Sequence, residues 1–394
     1  MKKRSIFAAL AIIALLVSAT TSFAFARGPD NAPGRAPDRI LVKFQPGTLE
    51  ATKGDINRKY GGTVVDAIPG IGVQVVKIPK DQVEDKVKGY LREASVQFAE
   101  PDYIATAVFE PDDTYFANQW GMTQIDAPEA WDITQGSADI KIAILDTGID
   151  QDHEDLAAKI VANANFTDSP TADDNYGHGT HVAGIAAAIT NNGKGVAGVG
   201  FNSSLMNGKV LGDDGSGYYS WIANGITWAA NNGAKVINLS LGSTWPSRTL
   251  QSAVNYAWNN GVVVVAAAGN SNSGRAFYPA YYTNCIAVAA TDQSDAKASW
   301  SNFGKWVDIA APGVDIFSTL PNHSNQIGIL NYGSLSGTSM STAHVAGVAA
   351  LVWATGYGTS AFSVRNRIQG TADSAGTMWS KYRIKRVNAY KAVK

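Results

Sequence analysis

Residues 140–148 read Ile140-Lys141-Ile142-Ala143-Ile144-Leu145-Asp146-Thr147-Gly148. A short, almost continuously apolar run is what a strand covered on both faces requires; a half-exposed strand would alternate. Four later runs share the pattern, Ala234–Leu241, Val262–Ala268, Ile286–Ala290 and Val307–Ala310. Helical stretches separate or follow them at His181–Thr190, Tyr219–Asn231, Arg248–Asn259 and Ser339–Thr355. This alternation predicts an α/β domain, a parallel sheet flanked by helices on both faces and joined by right-handed crossovers. Ligands of such sheets bind beyond the carboxyl ends of the strands, which is where Asp146 stands.

Upstream, residues 38–107 are more charged. Strand-like runs at Ile40–Phe44, Val73–Ile78 and Val96–Phe98, separated by amphipathic stretches at Leu49–Tyr60 and Lys80–Glu93, predict a small α+β module. Pro101, Pro111 and the pair Asp112-Asp113 mark a linker. At the start, Met1-Lys2-Lys3-Arg4, the apolar run Ile6–Val17 and Ala24-Phe25-Ala26 have the form of a secretory signal and its cleavage site. The alternative, a membrane anchor, asks for roughly 20 apolar residues, more than this run supplies. The expected organisation is a signal peptide over 1–26, a small α+β domain over 27–108 and the α/β domain over 109–394, in a secreted, extracellular protein.

The 394 residues are 45% hydrophobic and 16% charged, a composition that builds a large core. A formal net charge of -1 with Lys and Arg scattered along the chain excludes a basic patch, and with it nucleic acid or an anionic membrane as the expected partner. The single cysteine, Cys285, cannot make an intramolecular disulfide, so stability must come from packing and bound metal. Cys285 sits in a strand-like run and reads as a small buried apolar residue, a reactive thiol being the alternative.

Four short segments carry chemistry. Asp146 at the end of its strand is placed at the rim of a site, although alone it also reads as a turn-capping Asp. His178, in Tyr176-Gly177-His178-Gly179-Thr180-His181, precedes a helix of small residues. Two histidines three apart also allow a metal reading, but no Glu occupies the spacing a metalloprotease uses. Ser339, in Gly337-Thr338-Ser339-Met340, opens a long apolar helix, where its own N–H and the helix dipole favour developing negative charge; a simple N-cap serine is the alternative. Asn270 ends the run Ala266-Ala267-Ala268-Gly269 and can aim an amide N–H into the same cleft, or serve as a turn residue. Together they complement one another. A serine hydroxyl is a poor nucleophile until a base takes its proton, imidazole does so near neutral pH, and a carboxylate fixes the imidazole tautomer and stabilises the imidazolium. The chain order Asp, His, Ser is one of the known solutions.

Asp146-Thr147-Gly148, His178-Gly179-Thr180-His181 and Gly337-Thr338-Ser339-Met340 resemble the three catalytic boxes of the subtilisin family, and the resemblance extends over residues 109–394. It implies a serine endopeptidase with Asp146, His178 and Ser339 as triad and Asn270 in the oxyanion hole. Residues 38–107, ending in Phe98-Ala99-Glu100-Pro101-Asp102-Tyr103, look like the family's propeptide, which assists folding and then inhibits in the cleft until cut away. The segment around Gly215, Ser216, Gly217, Tyr219 and Ile222, with Ser240-Leu241-Gly242, looks like the two edges between which the family holds an extended peptide as an added strand. Main-chain bonding of that kind implies broad specificity. Ala267, Ala268 and Gly269 would line the first pocket and favour a large apolar or aromatic side chain, while Tyr219 and Ile222 would shape a more distant one.

The resemblance also implies structural calcium, held by Asp113, Asp155 and Asn192 with the backbone carbonyls of Ile189, Lys194 and Val196, a ligand set that suits that ion. A second family site lacks its carboxylates, since Asn165 and Pro170 stand in their places and only Asp168, Asp173 and Asp174 lie nearby. Ala343 and Ser341 depart from the family pattern after the nucleophile, which implies a straighter or differently bonded helix start. Asn207-Gly208 is expected to interrupt an apolar strand. The partners implied are protein and peptide substrates and the chain's own propeptide, acting on a monomer. Two rivals are a catalytically silent member used for binding, and an esterase or transferase using the same triad.

Overall fold

The computed structural model describes residues 34–104, 109–375, 382 and 384–394; the expected signal peptide lies outside them. The described residues form two compact units, those up to 104 and those from 109 onward.

The first unit runs β1 (Arg35–Phe44), α1 (Glu50–Lys59), β2 (Thr63–Ile68), β3 (Val73–Lys77), α2 (Val83–Tyr90) and β4 (Val96–Tyr103). Its strands form an antiparallel sheet in the order β2-β3-β1-β4. Ile40, Val42, Phe44 and Val76 alternate onto one face, where they meet Ile56 of α1 and Val83, Val87 and Tyr90 of α2. Every residue of β2 is exposed, so no inward and outward alternation announced it in the sequence.

The second unit continues with α3 (Trp120–Gln124), α4 (Ala127–Trp131), β5 (Lys141–Asp146), β6 (Ile160–Asn165), α5 (His178–Ala187), β7 (Ser204–Lys209), α6 (Tyr219–Asn231), β8 (Ala234–Leu239), α7 (Arg248–Asn259), β9 (Val263–Ala267) and β10 (Cys285–Thr291). There follow β11 (Ile309–Pro312), β12 (Ile316–Thr319), β13 (Tyr332–Leu335), α8 (Thr338–Trp353), α9 (Ala361–Thr371), β14 (Asp373–Ser374), β15 (Lys385–Arg386) and α10 (Ala389–Val393). Among the described residues the main sheet has the order β14-β15-β11-β10-β9-β8-β5-β7-β6, parallel except where β14 meets β15. Strands β12 and β13 form a separate antiparallel hairpin.

The apolar strands point alternate residues into two cores. Ile142, Ile144, Val236, Val263 and Val265 face α5 and α8. Ala143, Leu145, Ile237, Leu239 and Val264 face α6 and α7. Burial on both sides is why these strands lack alternation in sequence. Cys285 is a buried free thiol whose pKa burial pushes up, consistent with a packing role.

The expected break at Asn207-Gly208 does not occur, because both lie inside β7. Asn207 is fully buried, and its amide donates to Asn163 Oδ1 (3.0 Å) and the Ala172 carbonyl (2.9 Å). Helix α8 is continuous through Ala343, and the Ser341 hydroxyl donates to the carbonyls of Ala311 (2.9 Å) and Pro312 (3.1 Å) rather than within the helix.

Candidate active site

The end of β5 and the start of α5 meet because two glycines permit it. Gly148 turns with φ +110°, and a Cβ there would sit 2.7 Å from the carbonyl oxygens of Ala172 and Asp173. A Cβ on Gly179 would lie 2.0 Å from the Gly148 carbonyl oxygen, so any side chain would force strand and helix apart. Across this contact the Gly179 N–H donates to the Thr147 hydroxyl at 2.9 Å.

The contact brings His178 onto Asp146. Nδ1 of His178 lies 2.7 Å from Asp146 Oδ1, which also accepts the Thr147 N–H at 2.8 Å. Asp146 is completely buried and its Oδ2 has no partner among the described residues. Burial opposes charging of His178, but the charge of Asp146 and its hydrogen bond outweigh that and raise the imidazole pKa above its ordinary value. His181 behaves differently. It is buried, its Nε2 lies 3.1 Å from the Gly333 carbonyl, and burial depresses its pKa to about 3, so it is neutral and packed inside the domain.

Ser339 lies in the first turn of α8, nearly buried. Its hydroxyl donates to the Ser240 carbonyl at 3.1 Å, and its own carbonyl accepts the Ser240 hydroxyl at 2.9 Å. Among the described residues, then, the partner of the Ser339 hydroxyl is Ser240 and not the imidazole. Asn270 is anchored beside it: its Oδ1 accepts from the Thr338 N–H (3.0 Å) and hydroxyl (2.8 Å), which leaves Nδ2 on the far side of the amide.

A cavity of about 460 Å³ adjoins these groups, lined by Thr147, Tyr176, His178, Leu211, Gly215, Ser216, Gly217, Tyr219, Ile222, Ser240, Leu241, Gly242 and Ser243. Ala267, Ala268 and Gly269 do not line it. They lie where β9 ends, Ala267 and Ala268 buried, with Gly269 N–H donating to the Thr338 hydroxyl at 3.0 Å. Asn302 and Phe277 close around that segment: Asn302 Nδ2 donates to the Ala268 carbonyl (2.8 Å), and both crowd the space a Cβ on Gly269 would need. Neither residue, nor Tyr176, carried a sequence signal; each is brought in by the fold alone.

The profile of the subtilase family matches residues 137–384, and that of the fervidolysin N-terminal prodomain matches residues 32–102. The chain belongs to the subtilase family. It is a subtilisin-type serine endopeptidase with an N-terminal prodomain. This subtilase is 53% identical over 290 residues to thermitase of Thermoactinomyces vulgaris, covering 72% of the chain and 99% of that protein. It is 42% identical over 356 residues to the thermophilic serine proteinase of Bacillus sp. strain AK1, covering 90% and 86%. A solved protease structure from Pseudoalteromonas arctica aligns with a TM-score of 0.66 at 33% identity, over 72% of this chain and 98% of that one.

Away from the cleft, Asp113 and Asp155 of the subtilase are both buried. Asp155 Oδ1 accepts from Asn192 Nδ2 and Oδ2 from the Val196 N–H, each at 2.8 Å. Asp113 Oδ2 accepts from the Asn191 N–H at 2.7 Å, while its Oδ1 is buried without a partner among the described residues. Burial raises both carboxyl pKa values, that of Asp155 to about 6, with the charge of Asp113 adding to the rise. Two buried acids that repel one another, one with an oxygen that has no partner among the described residues, are oxygen donors suited to a hard divalent cation. Around Asn165 the arrangement differs: its amide donates to the Ser169 carbonyl at 2.6 Å and its Oδ1 accepts from Thr167.

Proposed function

We propose that this subtilase is exported as a pro-form and, once cut between about residues 105 and 111, hydrolyses peptide bonds of proteins through Asp146, His178 and Ser339. The observation that carries the reading is the 2.7 Å contact between His178 Nδ1 and Asp146. With Nδ1–H donated to Asp146, the lone pair sits on Nε2, the atom that must take the serine proton. The Ser339 hydroxyl turns from Ser240 to Nε2 and attacks the scissile carbonyl. The oxyanion then forms beside the Ser339 N–H and Asn270 Nδ2, which Thr338 orients by holding the other end of the amide. His178 passes its proton to the leaving amine, and water hydrolyses the acyl-enzyme by the reverse sequence.

The substrate lies extended between Gly215, Ser216, Gly217 and Ser240, Leu241, Gly242, with Tyr219 and Ile222 contacting a side chain further from the scissile bond. Main-chain pairing makes specificity broad. Ala267, Ala268 and Gly269, small groups with Phe277 beside Gly269, favour a large apolar or aromatic residue before the cleaved bond. Calcium at Asp113, Asp155, Asn192 and the carbonyls of Ile189, Lys194 and Val196 supplies charge neutralisation and no chemistry. The prodomain assists folding and inhibits until removed, and the mature enzyme acts as an extracellular monomer. A phosphonate that labels active serines should mark the mature protein and miss Ser339→Ala, whose casein digestion falls to background. Undiminished digestion by Ser339→Ala would refute the assignment.

A further inference from the structure

Asp174 is four residues before His178, in the segment that leads into α5, and is completely buried. Both of its oxygens are saturated by protein donors. Oδ1 accepts the Thr147 hydroxyl (2.8 Å) and the N–H groups of Gly177 (2.8 Å) and Tyr176 (3.2 Å). Oδ2 accepts the Thr180 N–H (2.8 Å) and hydroxyl (2.7 Å). The donors come from the two segments that carry Asp146 and His178. Thr147 directly follows Asp146, and its hydroxyl in turn accepts the Gly179 N–H at 2.9 Å. The Thr180 hydroxyl accepts the Asp150 N–H at 3.0 Å.

Among the described residues no Lys or Arg pairs with Asp174; its charge is held by these hydrogen bonds. The donors around a buried carboxylate held in this way cannot shift without leaving one of its oxygens short of partners in a buried setting, which is costly. The consequence for geometry is direct. One side chain fixes the residue after Asp146 and residues on both sides of His178.

We infer that Asp174 is a positioning residue for the hydrolytic reaction, a buried carboxylate that locks the Asp146 and His178 segments in register and adds negative potential at the imidazole. The inference deepens the reading of His178 as the base and rests on it. The charge of Asp174 acts on His178 in the same direction as that of Asp146, with the smaller effect. The other ionisable groups around the segment are Asp150, Asp173, Lys209, Asp213, His181 and His323. Lys209 donates to the Asp173 carbonyl (3.2 Å) and pairs with Asp213 (2.9 Å), while His323 Nε2 is 3.5 Å from Asp173 Oδ2. All are left in place by the variants below.

The test uses the full chain, matured and counted by active-serine labelling, with Asp174→Asn, Thr147→Val and Thr147→Ser. An amide at 174 presents N–H groups to donors that have nowhere else to bond. In Asp174→Asn we expect kcat to fall toward the roughly 10²-fold loss that about 1 Å of misplacement causes, with KM nearly unchanged. We also expect the acid limb of kcat/KM to move to lower pH, because removing a negative charge disfavours the imidazolium. Thr147→Val should lose kcat with a smaller movement of the acid limb, since the charge remains, and Thr147→Ser should recover most of that loss. Wild-type kcat and pH profile in Asp174→Asn would overturn the inference. So would a kcat loss that merely follows a lowered melting temperature with the acid limb unmoved. If Asp174→Asn does not fold, the Thr147 pair decides: equal impairment of Val and Ser variants overturns the inference, and recovery by Ser supports it. Failure of the underlying reading looks different, because His178→Ala and Ser339→Ala would then stay active.

Discussion

His178 carries opposing influences whose balance sets how the enzyme responds to pH. Burial disfavours its charge, and Asp146, by charge and hydrogen bond, more than restores it, so the folded-state pKa is raised. A base must be neutral to act, so kcat/KM should fall as pH drops through that raised value, above the roughly 6.5 of a free imidazole. Stability runs the other way: the charged pair favours the folded state below about pH 6.5, and that contribution is lost as pH climbs through the raised value. Asp146→Asn should move the acid limb down and cut kcat by on the order of 10⁴. Paired pH–rate profiles of wild type and variant check both, and an acid limb unmoved by the substitution would show that Asp146 does not set the imidazole pKa. Asn270→Ala should cost on the order of 10²–10³ in kcat with little change in KM, the loss seen on removing the corresponding donor in subtilisin. Equal kcat would mean that Nδ2 does not meet the oxyanion.

At the scale of elements, the site depends on how closely α5 approaches the end of β5. Gly179→Ala puts a methyl carbon 2.0 Å from the Gly148 carbonyl in the unrelaxed backbone, so the elements must separate. Overpacking of this kind costs about 1–3 kcal/mol, and the accompanying shift of His178 should reduce kcat by around 10²-fold. Calorimetry with active-site titration measures the two losses separately; full activity in the titrated fraction would mean that the contact matters for folding alone. The same junction shows where sequence reading ends. Helices α6 and α7 were legible to the residue, because Leu250, Ala253, Val254 and Ala257 repeat with helical spacing and Ser247 caps α7. Helix α5 instead begins at His178, earlier than its apolar run suggests, because Asp174 accepts the Gly177 and Thr180 N–H groups from upstream. It ends at Ala187 because Ile189 N–H turns to the Asp155 carbonyl at 2.9 Å. Strand β6, Ile-Val-Ala-Asn-Ala-Asn, is an edge with exposed alternate residues, and the buried Asn207 of β7 looks polar until its partners Asn163 and Ala172 are known. The glycine-flanked boxes were legible because their chemistry and backbone needs fall on neighbouring residues. Asn302 and Phe277 were not, since they depend on segments distant in sequence; of the five bonds of Asp174 only that from Thr147 crosses to a distant segment, and it is the one that ties the two boxes together.

At the scale of the molecule, the stability of the second unit rests chiefly on two apolar cores either side of one sheet, with no disulfide to limit the unfolded chain. Against that background the Asp113 and Asp155 pair is a weak point if left bare. Burial raises both carboxyl pKa values, so at neutral pH folding without a cation must confine two mutually repelling charges. On the proposed reading, a calcium ion bound there would reverse the effect and stabilise the folded state by mass action, by about 2.7 kcal/mol when its concentration is 100 times the dissociation constant. At about 2–4 °C per kcal/mol for a domain of this order of size, chelation should lower the apparent melting temperature of the mature enzyme by about 5–10 °C. The chemistry draws on groups elsewhere, so kcat measured well below the transition should be unaffected. Asp155→Asn should remove most of the calcium-dependent increment and raise the chelated melting temperature, because it deletes one of the two repelling charges. The decisive comparison is wild type and Asp155→Asn, each scanned with calcium and with chelator. A wild-type transition indifferent to chelation would mean that these buried acids are sustained by Asn191, Asn192 and Val196 alone.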